Sequence, residues 1–182
     1  MRIVSGKYKG KRIDAPRTLP VRPTTDMAKE ALFNILNNRY YFEDLTALDL
    51  FSGIGSISLE LASRGCQNIT AVDAHPRCVA FLEETSRALE AGIRCVRGDA
   101  LDYLRKTNGK YDLIFADPPY DLEREVFIQL VDLVMEGELL KEGGVLILEH
   151  ATKMKLNDHQ FFKESRKYGG SSFSFFSSSA SS

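Results

Sequence analysis

At 182 residues, 43% hydrophobic and 27% charged, the chain is long enough for one well-cored α/β unit and too short for two of typical size. These proportions exclude collagen-like and wholly disordered classes, and no apolar run reaches the length that spans a bilayer. The net charge of −1 predicts no polyanion partner, but its distribution does: residues 1 to 24 carry Arg2, Lys7, Lys9, Lys11, Arg12, Arg17 and Arg22 against the single acid Asp14.

Residues 1 to 24 are therefore expected to form a basic arm set apart from an acidic body. Their opening has no apolar core or cleavage-like site of an export signal, so a cytoplasmic location is expected. Residues 2 to 15 alternate around Ile3, Val4, Tyr8 and Ile13, with breaks at Gly6 and Gly10, and read as a short hairpin or extended arm. Phosphate contact is the favoured use of its cations, and a lysine-blunted edge strand is the alternative. A proline-rich linker, residues 17 to 25, leads into a helix capped near Thr24 to Asp26, on which Met27, Ala28, Ala31, Leu32, Ile35 and Leu36 recur at helical spacing.

Residues 46 to 51 read as a strand running into Ser52-Gly53-Ile54-Gly55 and a helix to about Arg64. Glycines at a strand-to-helix turn let a ligand approach the backbone and present helix N-terminal amides to it. Asp73 closes the next strand, 20 residues beyond Gly53, where an acid accepts from ribose hydroxyls. A helix over about 76 to 91 places Cys78, Phe81, Leu82, Thr85, Ala88 and Leu89 on one core stripe. Strand 93 to 96 then leads to Asp99, either a ligand-facing acid or the cap of a short helix ending near Lys106.

Tyr111 to Ala116 has strand composition and delivers Asp117-Pro118-Pro119-Tyr120 at its outgoing end. Two prolines stiffen the loop and remove two amide donors. An aspartate, a rigid carbonyl at Pro118 and an adjacent aromatic ring suit a flat heterocycle with an exocyclic amine: two acceptors take its N–H groups and Tyr120 covers its face. A helix follows over about 122 to 136. Gly143-Gly144 then precedes a strand over 145 to 149, and two strands, 162 to 168 and 171 to 176, meet at Gly169-Gly170 as a hairpin. His150, next to Glu149, reads as a structural loop histidine or a substrate contact. Residues 177 to 182 are low in complexity and expected to be disordered. Cys66, Cys78 and Cys95 lack CxxC spacing, the three histidines build no ligand set, and no metal is expected.

Strand and helix alternate from 46 to 149, which predicts an α/β fold: a Rossmann-like, doubly wound, mostly parallel seven-stranded sheet with a C-terminal antiparallel hairpin and a basic N-terminal arm. Gly53, Asp73, Asp99 and Asp117 would then share the edge at the strands' carboxyl ends.

The tetrapeptide at 117 to 120 resembles the (Asp or Asn)-Pro-Pro-(Tyr or Phe) signature of amino-group methyltransferases that use S-adenosylmethionine. Asp49 to Gly55 resembles the Asp-Leu-Phe-Ala-Gly-Ser-Gly of the RsmD-type 16S ribosomal RNA guanine-N2 methyltransferases, departing at Ser52 and Ile54. Arg2 to Lys7, Arg22-Pro23-Thr24 and Glu30 to Asn34 resemble that family's N-terminal signatures, and the likeness runs from Arg2 to about Phe176.

The resemblance implies methyl transfer from S-adenosylmethionine to the N2 amine of a guanine in small-subunit ribosomal RNA, free or in an assembling subunit, by a domain over 25 to 176. It implies catalysis by Asp117, Pro118, Pro119 and Tyr120. The cofactor would be held by Asp49, Phe51, Gly53, Gly55, Asp73, Asp99 and Ala100, and RNA would be met by Arg2, Lys7, Lys9, Arg12, Arg17 and Arg22. A monomer without metal or membrane contact is expected. The alternatives are an adenine-N6 methyltransferase on DNA or RNA, a protein-glutamine methyltransferase, an NAD-dependent oxidoreductase and a non-catalytic RNA-binding module.

Overall fold

The computed structural model describes residues 1–21 and 24–178, so Arg22 and the end of the serine-rich tail lie outside the described residues. Within them, strands β1 (Thr46–Leu50), β2 (Asn68–Asp73), β3 (Arg94–Arg97), β4 (Tyr111–Ala116), β5 (Leu140–Ala151), β6 (Phe162–Tyr168) and β7 (Ser171–Phe176) form one sheet. The helices are α1 (Asp26–Asn37), α2 (Ser56–Ser63), α3 (Pro76–Leu89), α4 (Ala100–Lys106) and α5 (Arg124–Glu136). The strand order is β3-β2-β1-β4-β5-β7-β6. β1 to β5 are parallel, and β7 runs against both its neighbours. The predicted sheet and terminal hairpin are both present.

Connections leave β1 toward β2 and β3 on one side and leave β4 toward β5 on the other. Adjacent β1 and β4 therefore flank the point where the winding reverses, and their outgoing loops open a crevice there. The Asp117 amide, donating 3.4 Å to the Leu50 carbonyl, ties the two strand exits together.

Both sheet faces are covered, which is why the central strands read as nearly continuous apolar runs. On one face α4 and α5 contribute Leu104, Phe127, Leu130, Val131 and Val134 against Leu48, Leu50, Ile114, Leu146 and Leu148. On the other, α1 and α2 contribute Leu32, Phe33, Leu36, Ile57 and Leu61 against Ala47, Phe115, Ile147 and Phe175. Leu82 and Leu89 of α3 join Leu59 and Ala71 beside them.

Several details differ from the sequence-based expectation, among them the α1 stripe, where Met27 is exposed and Lys29 and Phe33 are buried. The buried stripe of α3 runs through Cys78, Val79, Leu82, Ser86 and Leu89, while Ala88 is exposed. Ser86 belongs inside because its hydroxyl accepts from the Ile93 amide at 3.0 Å, holding the turn into β3. β5 begins five residues earlier than expected and absorbs Gly143 and Gly144 in a register shift against β4.

The N-terminal segment is docked on the body. Its hairpin is a single antiparallel bridge, Arg2 to Arg12, and Ile3 and Ile13 are buried against Leu59, Leu82 and Leu89. Gly6 crosses the end of α2 at φ +84°, where a Cβ would lie 1.9 Å from the Ser63 carbonyl oxygen, so only glycine fits. The backbone is held by Glu60, whose carboxylate accepts from the Val4 and Ser5 amides at 2.9 and 3.0 Å.

Candidate functional site

A cavity of about 530 Å³ opens at the winding reversal, within the range of about 300–1,000 Å³ usual for small-molecule sites. It is walled by the loops after β1, β2 and β4 and by Pro20, Val21 and Thr24. Among the described residues its lining includes the carboxyl groups of Asp49, Asp73 and Asp117 and no lysine or arginine, a field that favours a cation.

The loop after β1 is shaped by backbone that few residues tolerate. Phe51, which lines the cavity, sits at φ +57°, and a non-glycine residue held in the left-handed region stores roughly 1–3 kcal/mol of strain. Gly55, at φ +87°, precedes α2, and a Cβ there would lie 2.3 Å from Leu82 Cδ1. Gly55 therefore lets α2 approach α3 and is not part of the cavity wall, whereas Gly53 is.

Asp73 braces this loop. Its Oδ2 accepts from the Gly53 amide and its Oδ1 from the His75 amide, both at 2.8 Å, and each oxygen keeps a second lone pair for a ligand hydroxyl. Asp49 is buried beneath, its Oδ2 accepting from the Ser58 hydroxyl at 2.6 Å and the Ser58 amide at 3.2 Å. Burial pushes its carboxyl up to about 7 even though the Ser58 bonds pull the other way.

Asp117, Pro118, Pro119 and Tyr120 all line the same cavity. Tyr120 is half-buried, and its hydroxyl meets that of Ser171 at the start of β7, which anchors the ring at the cavity wall. An acid, a stiff turn and an anchored aromatic thus face the Gly53 and Asp73 loops across one space.

Besides Gly55, two more expected cofactor residues lie outside the cavity wall. Asp99 is exposed and caps α4, accepting from the Asp102 amide at 3.0 Å. Ala100 is buried in the core under α5. Neither lines the cavity, because β3 ends beside the sheet edge and its exit is spent on starting α4. His75, Cys78 and Ile54 line it unforeseen. His75 Nδ1 is buried without a hydrogen-bond partner, a group suited to a polar ligand atom. Pro20 and Val21 were also missed; the proline spacing marked a linker but not that it folds back over the sheet edge.

Of the basic candidates, Lys7, Lys9, Arg12 and Arg17 are exposed, and Arg2 pairs with Asp26 at 3.2 Å. Arg22 falls outside the described residues. Among them there is also no group of three or more His, Cys, Asp or Glu placed to hold a metal, and no helix long and apolar enough to cross a membrane. His150 is buried in β5, bonded to Ser174 at 2.7 Å and to the Ala151 carbonyl, and stands apart from this cavity.

Sheet order, winding point and acid-lined cavity together define a Rossmann-like methyltransferase fold. The chain belongs to the family described as conserved hypothetical protein 95, whose model matches residues 1–177, and the RsmD-type resemblance is thereby borne out. It is 31% identical over 150 residues to a Buchnera aphidicola protein named ribosomal RNA small subunit methyltransferase D, covering 82% of this chain and 75% of that one. The Escherichia coli protein of the same name is 28% identical, with 82% and 74% covered. A hypothetical protein of Thermus thermophilus superposes with a TM-score of 0.83 at 28% identity, over 97% of this chain and 98% of that one. A Thermus thermophilus 16S rRNA N2 methyltransferase, solved with AdoMet and guanosine, shares the fold at 22% identity and a TM-score of 0.69, over 87% of this chain and 44% of that one.

Proposed function

We propose that this chain transfers a methyl group from S-adenosylmethionine to the exocyclic N2 amine of a guanine in small-subunit ribosomal RNA. The observation that carries this reading is the convergence of Asp117, Pro118 and Tyr120 with the Gly53 and Asp73 loops on one cavity. The names of the relatives supply the substrate class.

The cavity fits the cofactor in size and sign of charge. Bound there, S-adenosylmethionine supplies a methyl carbon made electrophilic by the sulfonium. Asp73 accepts from the ribose hydroxyls, while Asp49 and the Gly53 turn hold the amino-acid end. Gly55, Asp99 and Ala100, being outside the cavity wall, are assigned no contact.

A guanine amine is a weak nucleophile because its lone pair is conjugated with the ring. Asp117 accepts one N–H and the Pro118 carbonyl the other, which localises the lone pair and fixes its direction. Tyr120 stacks on the base, drawn out of its RNA context, and its tie to Ser171 keeps the ring from swinging away.

Mass-spectrometric mapping of small-subunit ribosomal RNA from cells lacking the protein tests the proposal. Loss of one N2-methylguanosine is expected, restored by the wild-type gene and not by Asp117→Ala. Unchanged guanosine modification, or loss of N6-methyladenosine instead, overturns it.

A further inference from the structure

A second cavity, of about 330 Å³, lies between the segment after β5 and the β6–β7 hairpin. Its electrostatics are opposite to those of the first. Lys155 and Lys167 line it, and no aspartate or glutamate does among the described residues. Its floor is a set of hydroxyls: Ser172 donates to Thr152 Oγ1 at 3.4 Å, and Ser174 lies 2.7 Å from His150 Nε2 and 3.2 Å from Ser165 Oγ. Met154 and Phe162 supply an apolar side.

Tyr120 connects the two spaces. Its hydroxyl meets Ser171, and the next residue of β7, Ser172, lines the second cavity. Because successive side chains of a strand point to opposite faces, Ser171, which Tyr120 meets, and Ser172, which lines the second cavity, stand on opposite faces of β7.

We infer that this second cavity is a subsite for a nucleotide adjoining the target guanine, its phosphate held between Lys155 and Lys167 and its sugar and base set against the hydroxyl floor and Met154. A polyanion is repelled by Asp73 and Asp117 of the first cavity and attracted here, so the contact gives register without demanding a sequence. The inference rests on the proposed reading of the chain as an RNA methyltransferase.

The test compares wild type, Lys155→Ala/Lys167→Ala and Lys153→Ala in steady-state methylation of small-subunit ribosomal RNA across a salt series, together with S-adenosylmethionine affinity. Lys153 is exposed on the same segment and does not line the cavity, so it reports general charge. For the double variant, KM is expected to rise at least about tenfold, with a smaller change in kcat. Its salt dependence should flatten by about 0.7 in log–log slope per phosphate no longer neutralised, and cofactor affinity should be unaltered. Lys153→Ala should match wild type within about twofold. A double variant with wild-type KM and slope, or one no worse than Lys153→Ala, overturns the subsite while leaving the methyltransferase reading intact. A wild-type protein that methylates no ribosomal RNA removes that reading first, and the subsite with it.

Discussion

Lys29 and Glu60 join α1 to α2 with Nζ 3.5 Å from Oε2, both side chains fully buried. Lys29 also donates to the Arg2 carbonyl at 2.6 Å, and Glu60 also receives the Val4 and Ser5 amides and Arg64 Nε. Burial lowers the lysine's proton affinity, and the facing glutamate opposes that shift. Removing one member of such a pair strands the other, at a cost of about 3–5 kcal/mol. Glu60→Ala is expected to lose that much in urea unfolding and to expose residues 1 to 13 to proteolysis. Lys29→Met/Glu60→Leu should recover most of the stability but not the protection, because the amide acceptors stay absent. Protection equal to wild type in both variants refutes the anchor.

Asp117 and Asp73 line the same cavity from different loops and should separate under mutation. Asp117→Ala removes the acceptor proposed for the amine, so turnover should fall by about 10²–10³ or more, while cofactor affinity stays within about tenfold, roughly 1.4 kcal/mol. Asp73→Ala frees the Gly53 and His75 amides and should instead weaken cofactor binding by more than that. Calorimetry on both variants checks the pair. Equal effects on binding and turnover in each would mean that the two acids do not divide the work.

How far the sequence reached follows from what each signal encodes. Strand composition, the glycine turn after β1 and the proline pair are local and covalent, so the sheet, the winding point and the 117 to 120 wall were legible. The docking of Ile3 and Ile13 was hidden, because an alternating segment looks the same free or packed. Lys29 and Glu60 gave no signal, since a charged residue on a helix reads as solvent-facing until tertiary neighbours are known. Asp99 shows the reverse limit: an acid at a strand exit fits a ligand contact and a helix cap equally well, and the structure shows the cap.

Asp49 gives a pH dependence. Its carboxyl titrates near 7 in the folded chain because burial opposes the charge, against about 3.9 when unfolded. The folded state thus holds the extra proton through that window. Stability from this group is highest below about pH 4, falls as pH rises and levels off above about 7, by on the order of a few kcal/mol. Asp49→Asn should flatten that slope, most visibly in urea midpoints compared at pH 5 and pH 8. A wild-type slope that survives in the variant assigns the effect to another group.

The Tyr120 tie to Ser171 separates stacking from positioning. Tyr120→Phe keeps the ring and loses one hydrogen bond, so methylation should drop by no more than about tenfold, in line with roughly 0.5–1.5 kcal/mol. Tyr120→Ala loses the platform as well, at about 1–3 kcal/mol for a base, and should raise KM for RNA further. Ser171→Ala should copy Tyr120→Phe if the hydroxyl pair is what fixes the ring. A Phe variant as poor as the Ala variant makes the bond, and not the ring, the essential part.

Lys7, Lys9 and Lys11 stand on a loop whose backbone is fixed by Glu60 and Ser63, so their ammonium groups are exposed on a rigid support. A rigid cationic loop loses little ordering entropy on meeting phosphate, and each contact releases condensed counterions. Replacing all three with alanine should leave the unfolding midpoint and cofactor affinity unchanged. RNA affinity should fall and its log–log salt slope should shrink by about 0.7–0.9 for every phosphate that the loop ceases to neutralise. Filter-binding titrations of small-subunit ribosomal RNA at several salt concentrations measure both. A slope equal to wild type removes the loop from the RNA interface and leaves Arg12 and Arg17 as the next candidates.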